Sequence, residues 1–487
     1  MNLISVVSPL TGEKLHDIQG FSAEEVAHAF QLGRVVQPSW AKSVQHRSLV
    51  AKKLAAILAK EQEAMMDQLQ AETGKSRSHA FEEVAGALGA ISYYAKVAPK
   101  LMRRTRVKAG VPVMLTAFVE PAPVGVVGII TPWNYPLALT MMDVLPALMA
   151  GNAVVQKADN QTAKTVAFAR GLAIKAGVPE AIWQVVQGDA NEVGNAVTDN
   201  ADYVAFTGST PTGRIVAERA AKRLIGYSLE LGGKNPLIVL PGANLEQAAE
   251  IALGSAFGNA GQLCVSIERL YVPNTVITEF ATILKRRIES MTVGSSDSYS
   301  HDVGSLTSKA QMDRVSGFVD RAVAEGAKVL TGAKRLENLG PNFYAPTVLT
   351  AVPKTAEIMT KEVFGPVMAL VGYDTLDEAV ELANATEFGL NASVVGDRAK
   401  ALQLASRLMA GSVNINEGYR ASMASMAAPM GGMKQSGTGR RSGPQGLLRF
   451  TETRTIGVAN KLPIGLPTRA KEYKKMAPLM TKLAKWL

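Results

Sequence analysis

Apolar and polar positions change their spacing twice along this chain, and each change predicts a different kind of structure. Residues 22–110 hold few breakers and place apolar side chains three and four apart, most clearly from Arg47 to Gln70, which predicts helices. Ser22-Ala-Glu-Glu25 has the form of a capping box at their start. Over 111–120 the run Val-Pro-Val-Met-Leu-Thr-Ala-Phe-Val-Glu is extended and partly alternating, which suits an edge strand reaching toward a partner. From 124 onward short apolar strands alternate with helices. Strands are predicted at 124–130, 153–157, 183–186 and 203–206, with helices at 137–150 and about 161–176. A second alternating section begins at 235–240 and continues through strands at 269–272, 327–330, 367–373, 392–395 and 412–415. Strands separated by helices build βαβ units and parallel sheets, whose sites lie at the carboxyl ends of strands. Two α/β units joined near Leu231-Gly-Gly233 are the expected parse. Past about 460 the chain is rich in Pro and Lys and then amphipathic.

The length of 487 residues suits two or three domains with sizeable cores. The first residues, Met1-Asn-Leu-Ile-Ser, have neither the basic region nor the apolar run of a signal peptide, and no apolar run reaches membrane-spanning length. One cysteine excludes a disulfide framework, so the expected location is the cytoplasm, without integral membrane association. The net charge of +10 is concentrated in the last segment and in the cluster Lys100, Arg103, Arg104, Arg106 and Lys108. Neither cluster interleaves aromatics as a nucleic-acid module does, so no nucleic-acid partner is expected. Solvated faces are the simpler reading. Attachment of the basic amphipathic tail to an anionic membrane is an alternative to packing on a neighbouring subunit.

Candidate chemistry sits in the turns. The lone Cys264, in Asn259-Ala-Gly-Gln-Leu-Cys264, has no histidine or carboxylate at ligand spacing, so no metal site is expected, and it is either an inert buried thiol or a nucleophile. The strand ending at Phe206 runs into Thr207-Gly208-Ser209 and a helix, where free N–H groups favour a phosphate. Lys157 at a strand's end suits ribose hydroxyls or a phosphate. Asn134, in Thr131-Pro132-Trp133-Asn134-Tyr-Pro136, is a fixed amide suited to an oxyanion, and Glu230 before a double glycine suits a general base for water. Taken singly, each also reads as an ordinary turn or surface residue.

Their joint order carries more. Thr131-Pro-Trp-Asn134, Lys157, Gly208-Ser-Thr-x-x-Gly213, Glu230-Leu-Gly-Gly-Lys234, Gly261-Gln-x-Cys264 and Glu362-x-Phe364-Gly-Pro366 closely resemble the aldehyde dehydrogenase superfamily, from about Val6 to Gly446. The resemblance implies an α/β fold with a Rossmann-type cofactor domain over 1–231, an α/β catalytic domain over 232–446, and a tail over 447–487. It also implies a small oligomerisation arm near 111–122, paired with a strand at about 449–458, in a homodimer or homotetramer. By the same resemblance Cys264 attacks an aldehyde, Asn134 and the Cys264 N–H hold the oxyanion, and Glu230 activates the water that releases the acid. Thr131, Pro132, Trp133, Lys157, Asn160, Gly208, Ser209, Glu362 and Phe364 are the implied cofactor residues.

Relatives that prefer NAD often carry a glutamate where this chain has Asn160, so NADP is the expected cofactor, with NAD possible. The surroundings of Cys264 and Ala428-Pro-Met-Gly-Gly-Met433 look most like a bacterial succinate-semialdehyde dehydrogenase branch. Two departures stand out: Met142 and Gly258 occupy positions where better-studied members of that activity hold arginines, and Ser266 replaces a second cysteine. Arg420, with Ser425, is therefore the candidate for a substrate carboxylate. A broad dehydrogenase of neutral aldehydes is the alternative, and a non-catalytic binding protein a remote one.

Overall fold

The computed structural model describes residues 3–110, 114–460 and 469–485. Two sheets organise it. The first has six strands in the order Gly437–Thr438, Gly226–Glu230, Tyr203–Thr207, Val126–Ile130, Ala153–Lys157, Trp183–Val186. Its pairings are parallel except the short Gly437–Thr438 edge. Seven strands form the second, in the order Lys328–Thr331, Thr347–Thr350, Val367–Tyr373, Ile267–Pro273, Asn235–Val239, Asn391–Val395, Ser412–Ile415. Only the outer Lys328–Thr331 pairs antiparallel. The continuous apolar strands follow from this arrangement, since a parallel sheet is covered on both faces.

Ser22 and Glu25 form the expected capping box and start the helix Ala23–Ala41. Helices Val44–Lys60, Gln62–Thr73 and Arg77–Leu101 follow. The helical stretch ends sooner than 110, because Thr105–Val107 is a strand. The helix Pro136–Ala150 is buried along its whole length between the first sheet and the N-terminal helices. Proline supplies its first turn and Gly151, at φ +97°, ends it.

The extended segment expected near 111–120 differs from an edge strand. Leu115–Pro123 is the middle strand of a three-stranded antiparallel sheet, between Thr105–Val107 and Thr451–Ala459; residues 111–113 lie outside the described ones. Part of the basic cluster is not simply solvated: Arg104 and Arg454 both bond Glu120 in this sheet and hold its carboxyl below the usual range. Two strands in the first 20 residues, Leu3–Val7 and Lys14–Gln19, were not foreseen. In the tail, Ala470–Ala484 is helical, while 461–468 lie outside the described residues. Among the described residues no helix is long and apolar enough to cross a membrane, and no cluster of three or more metal-ligating side chains forms.

Candidate active site

The site lies where the carboxyl ends of the first sheet face the amino ends of the second. Asn134 and Glu230 follow or end first-sheet strands, as expected of parallel sheets. Cys264 and Glu362 instead precede the second-sheet strands Ile267–Pro273 and Val367–Tyr373.

Backbone shape fixes the thiol. Asn259, Ala260 and Gly261 take left-handed φ of 51°, 53° and 71°. A Cβ on Gly261 would stand 2.0 Å from the Gly365 carbonyl, so this position needs glycine to let the Glu362 loop approach. The Asn235 amide donates to the carbonyls of Cys264 (2.8 Å) and Ser266 (2.7 Å). The Ser266 hydroxyl donates to the carbonyls of Ser255 and Ala256, in the wall behind the thiol. Burial, then the charges of Glu362 and Glu230, push the Cys264 thiol up to about 12. Its own N–H faces the sulfur, and Arg441 opposes the rise. The resting form is therefore the neutral thiol.

Asn134 is 3% exposed. Its Nδ2 donates to the Gln262 carbonyl (2.9 Å), which fixes nitrogen rather than oxygen at that side and leaves a second N–H. Gln262 is in turn held by the Asn259 and Ser305 carbonyls and by the Thr307 N–H. Glu230 is 4% exposed, and neither of its oxygens has a partner. Burial raises its carboxyl to about 7 against the pull of Arg441 and Arg449. A buried, unbonded carboxylate near neutrality has the properties of a general base.

A chamber of about 360 Å³ opens onto Cys264 and Asn134. Its wall is mainly apolar and rich in methionine, including Met142, Met423, Met426 and Met430. Arg420 lines it, but Nε and Nη2 donate to one oxygen of Glu82 (3.1 and 2.9 Å), with Glu417 at 3.9 Å. Ser425 does not line it; the Ser425 hydroxyl is exposed and donates to the Ala421 carbonyl. Above Gly258 the Tyr419 hydroxyl fills the space, 2.7 Å from where a Cβ would be.

The expected cofactor residues spread along the strand ends. Trp133 and Phe364 meet edge to face at 5.6 Å, with Phe364 held at φ +60°. Pro132 is half-buried, and Thr131 Oγ1 accepts from Gln156. Lys157 is 7% exposed and makes one weak contact, to the Ala158 carbonyl (3.2 Å). Asn160 is used structurally as well: its Oδ1 accepts from the Gly188 N–H (2.9 Å). Gly208 and Ser209 open the helix Thr210–Lys222, whose first-turn amides have no intrahelical acceptor. Glu362 accepts from the Gly233 N–H, and a Cβ on Gly232 would meet its carboxylate at 2.5 Å. A helix N-terminus, a buried cation and two aromatic rings set along the strand ends suit the phosphates and nicotinamide of a dinucleotide.

Three buried ionic clusters surround the site and escaped the sequence. Lys75 pairs with Glu83, Lys234 with Glu268, and Arg441 with Asp143, which Arg449 also bonds. Glu268 accepts from the Val363 and Phe364 N–H groups and so anchors the Glu362 loop. Burial pushes the Asp143 carboxyl up, yet Arg441 and Arg449 more than offset it and hold it low. Asp143 had a readable signal, as the single charge in the apolar helix Pro136–Ala150. Lys75, in the short loop between two helices, and Glu83, one of several charges on the helix Arg77–Leu101, had none.

Comparison with known proteins agrees with this geometry. Residues 2–456 match the model of the aldehyde dehydrogenase family. A Mycobacterium tuberculosis protein, provisionally named an NADP-type succinate-semialdehyde dehydrogenase, is 44% identical over 98% of this chain and 93% of its own length. A Mycolicibacterium smegmatis protein with a similar provisional name is 45% identical over 94% of this chain and 89% of its own. Among solved structures, an Escherichia coli NADP-dependent enzyme superposes with a TM-score of 0.90 at 32% identity, covering 94% of this chain and 95% of that one. A Sinorhizobium meliloti NAD-dependent aldehyde dehydrogenase gives 0.92 at 33%, covering 96% and 93%. With its two facing sheets and a family match over nearly its whole length, the chain belongs to the aldehyde dehydrogenase family.

Proposed function

We propose that this protein oxidises succinic semialdehyde to succinate with NADP. The observation that carries the aldehyde chemistry is a recessed thiol and a fixed amide on one chamber, with an unbonded buried carboxylate, Glu230, whose charge reaches the thiol. In this reading Cys264 loses its proton to solvent and adds as the thiolate to the aldehyde carbon, while the second N–H of Asn134 and the N–H of Cys264 take the developing oxyanion. Bound nicotinamide supplies the hydride acceptor. Glu230 then takes a proton from the water that hydrolyses the Cys264 thioester. Trp133, Phe364, Glu362, Gly208 and Ser209 hold the cofactor, and the neutral Asn160, three residues after Lys157, adds no further carboxylate against a 2′-phosphate to those of Asp159 and Asp189.

Two things support succinic semialdehyde: the names of the mycobacterial relatives, and Arg420 on the chamber wall beside Tyr419. In the substrate complex Arg420 shares its guanidinium between Glu82 and the substrate carboxylate. A specific observation favours a second reading, neutral aliphatic or aromatic aldehydes: the walls are methionine-rich and Arg420 already has an ion pair. Steady-state kinetics with succinic semialdehyde and butanal, each with NADP and NAD, tests both. A carboxylate site gives succinic semialdehyde at least about a tenfold advantage in kcat/KM, and Arg420→Ala removes most of it by raising KM. Equal values for the two aldehydes, or an unchanged KM in Arg420→Ala, would favour the second reading. The paired strands Leu115–Pro123 and Thr451–Ala459 support a homodimer or homotetramer.

A further inference from the structure

We infer that Lys75 and Glu83 are positioning residues that hold Asn134 in register with the thiol. The pair is completely enclosed, with both side chains 0% exposed. Lys75 Nζ bonds Glu83, donates to the main-chain carbonyl of Asn134 (3.0 Å), and lies 4.2 Å from the centre of the Tyr135 ring. Glu83 takes the other end of the same turn, accepting from the Leu137 (2.7 Å) and Ala138 (3.1 Å) N–H groups through Oε1. These belong to the first turn of Pro136–Ala150, where a negative charge is favoured and the amides lack helical acceptors. One ion pair therefore clamps residues 134–138 at both ends.

The opposite side of Asn134 is held by the cysteine loop. Asn259 Nδ2 donates to the Asn134 carbonyl (3.1 Å), and the Asn134 amide reaches the Gln262 carbonyl, two residues before Cys264. The Asn134 carbonyl thus takes two donors, one from each side, and the amide has a single route left to the chamber. If the pair is lost, the Asn134 carbonyl keeps only its bond from the cysteine loop and follows that loop. A donor displaced by about 1 Å forfeits much of its oxyanion stabilisation.

This inference rests on the proposed role of Asn134, and a double-mutant cycle separates the two. Lys75→Met combined with Glu83→Gln removes both charges together, so no unpaired ion is left buried, and glutamine keeps an acceptor for the helix amides. The expected result is a kcat about 10- to 100-fold lower, with NADP dissociation, measured by fluorescence titration, changed by less than about twofold. In an Asn134→Ala background the same pair of changes should lower kcat by less than about twofold. A loss of equal size in both backgrounds, or no loss in either, overturns the inference. If Asn134→Ala alone leaves kcat intact, the oxyanion assignment fails instead, and the inference fails with it. Glu83→Gln alone, which keeps one acceptor for the helix amides and replaces the oxygen facing Lys75 by a donor, runs the same cycle should the paired variant not fold, with a smaller loss expected and the same two overturning results.

Discussion

Replacing Glu230 by glutamine keeps the side chain's shape and removes the proposed base, and the consequence is worked out from the carboxyl's surroundings. Burial lifts it from an ordinary 4.5 to about 7, which corresponds to about 3 kcal/mol held against the charged form. About one carboxyl in ten is then ionised at pH 6 and about nine in ten at pH 8. Turnover limited by thioester hydrolysis should therefore rise about tenfold across that interval and then level off. In Glu230→Gln the rise should vanish and steady turnover should fall by about 100- to 10,000-fold. The first turnover behaves differently. Because the Glu230 charge is one of the groups raising the thiol, its removal lowers the thiol pKa and leaves acylation intact. Stopped-flow absorbance should show a burst of reduced cofactor close to one per site, followed by near-silence. Iodoacetamide should also alkylate Cys264 faster in the variant at fixed pH. Loss of the burst, or a pH rise near 7 that survives the substitution, would refute the reasoning.

Two further outcomes test other parts of the site. Asn160→Glu places a carboxylate beside Lys157 and should lower kcat/KM for NADP by at least about tenfold, or about 1.4 kcal/mol, while that for NAD holds or rises; unchanged discrimination would remove Asn160 from the cofactor reading. Asp143→Asn leaves Arg441 and Arg449 buried without their anion and should destabilise the fold by about 3 to 5 kcal/mol, seen as an earlier midpoint in urea with the slope unchanged.

The sequence exposed the parts of this protein that repeat a local rule. Apolar runs near 124–130, 153–157 and 235–240 read as strands because both faces of a parallel sheet are buried. The turns read as chemistry because glycine and proline fix backbone, and their order matched a family. Contacts between distant segments left no such trace. The segment near 111–120 looks like an edge strand because its alternation says nothing about Thr105–Val107, which pairs with it from a stretch that read as helix. Arg420 stood out as a free loop cation, and only the fold reveals Glu82, 338 residues away in sequence, against its guanidinium. Lys75 and Asn134 are likewise joined by folding alone.

The three buried ionic clusters have a common logic. An ion pair taken out of water is weak support for stability, since desolvation offsets most of the attraction. Here each cluster instead touches the element that carries a candidate catalytic or cofactor group: Lys75–Glu83 the turn of Asn134, Asp143–Arg441–Arg449 the surroundings of Glu230, and Lys234–Glu268 the loop of Glu362 and Phe364. Apolar packing at those places would fill space without directing amides and carbonyls, because dispersion has no preferred orientation. Ionic groups with several hydrogen bonds fix direction as well as distance. The field they impose is uneven in a useful way. Arg441 draws both Glu230 and Cys264 toward ionisation, while Asp143, Glu362 and burial oppose it, leaving the carboxyl near 7 and the thiol near 12. In the proposed roles the base is therefore ready at neutral pH and the nucleophile is not. A resting thiol that stays protonated resists oxidation, which matters for a chain whose only cysteine has Ser266 where a second thiol could have shielded it.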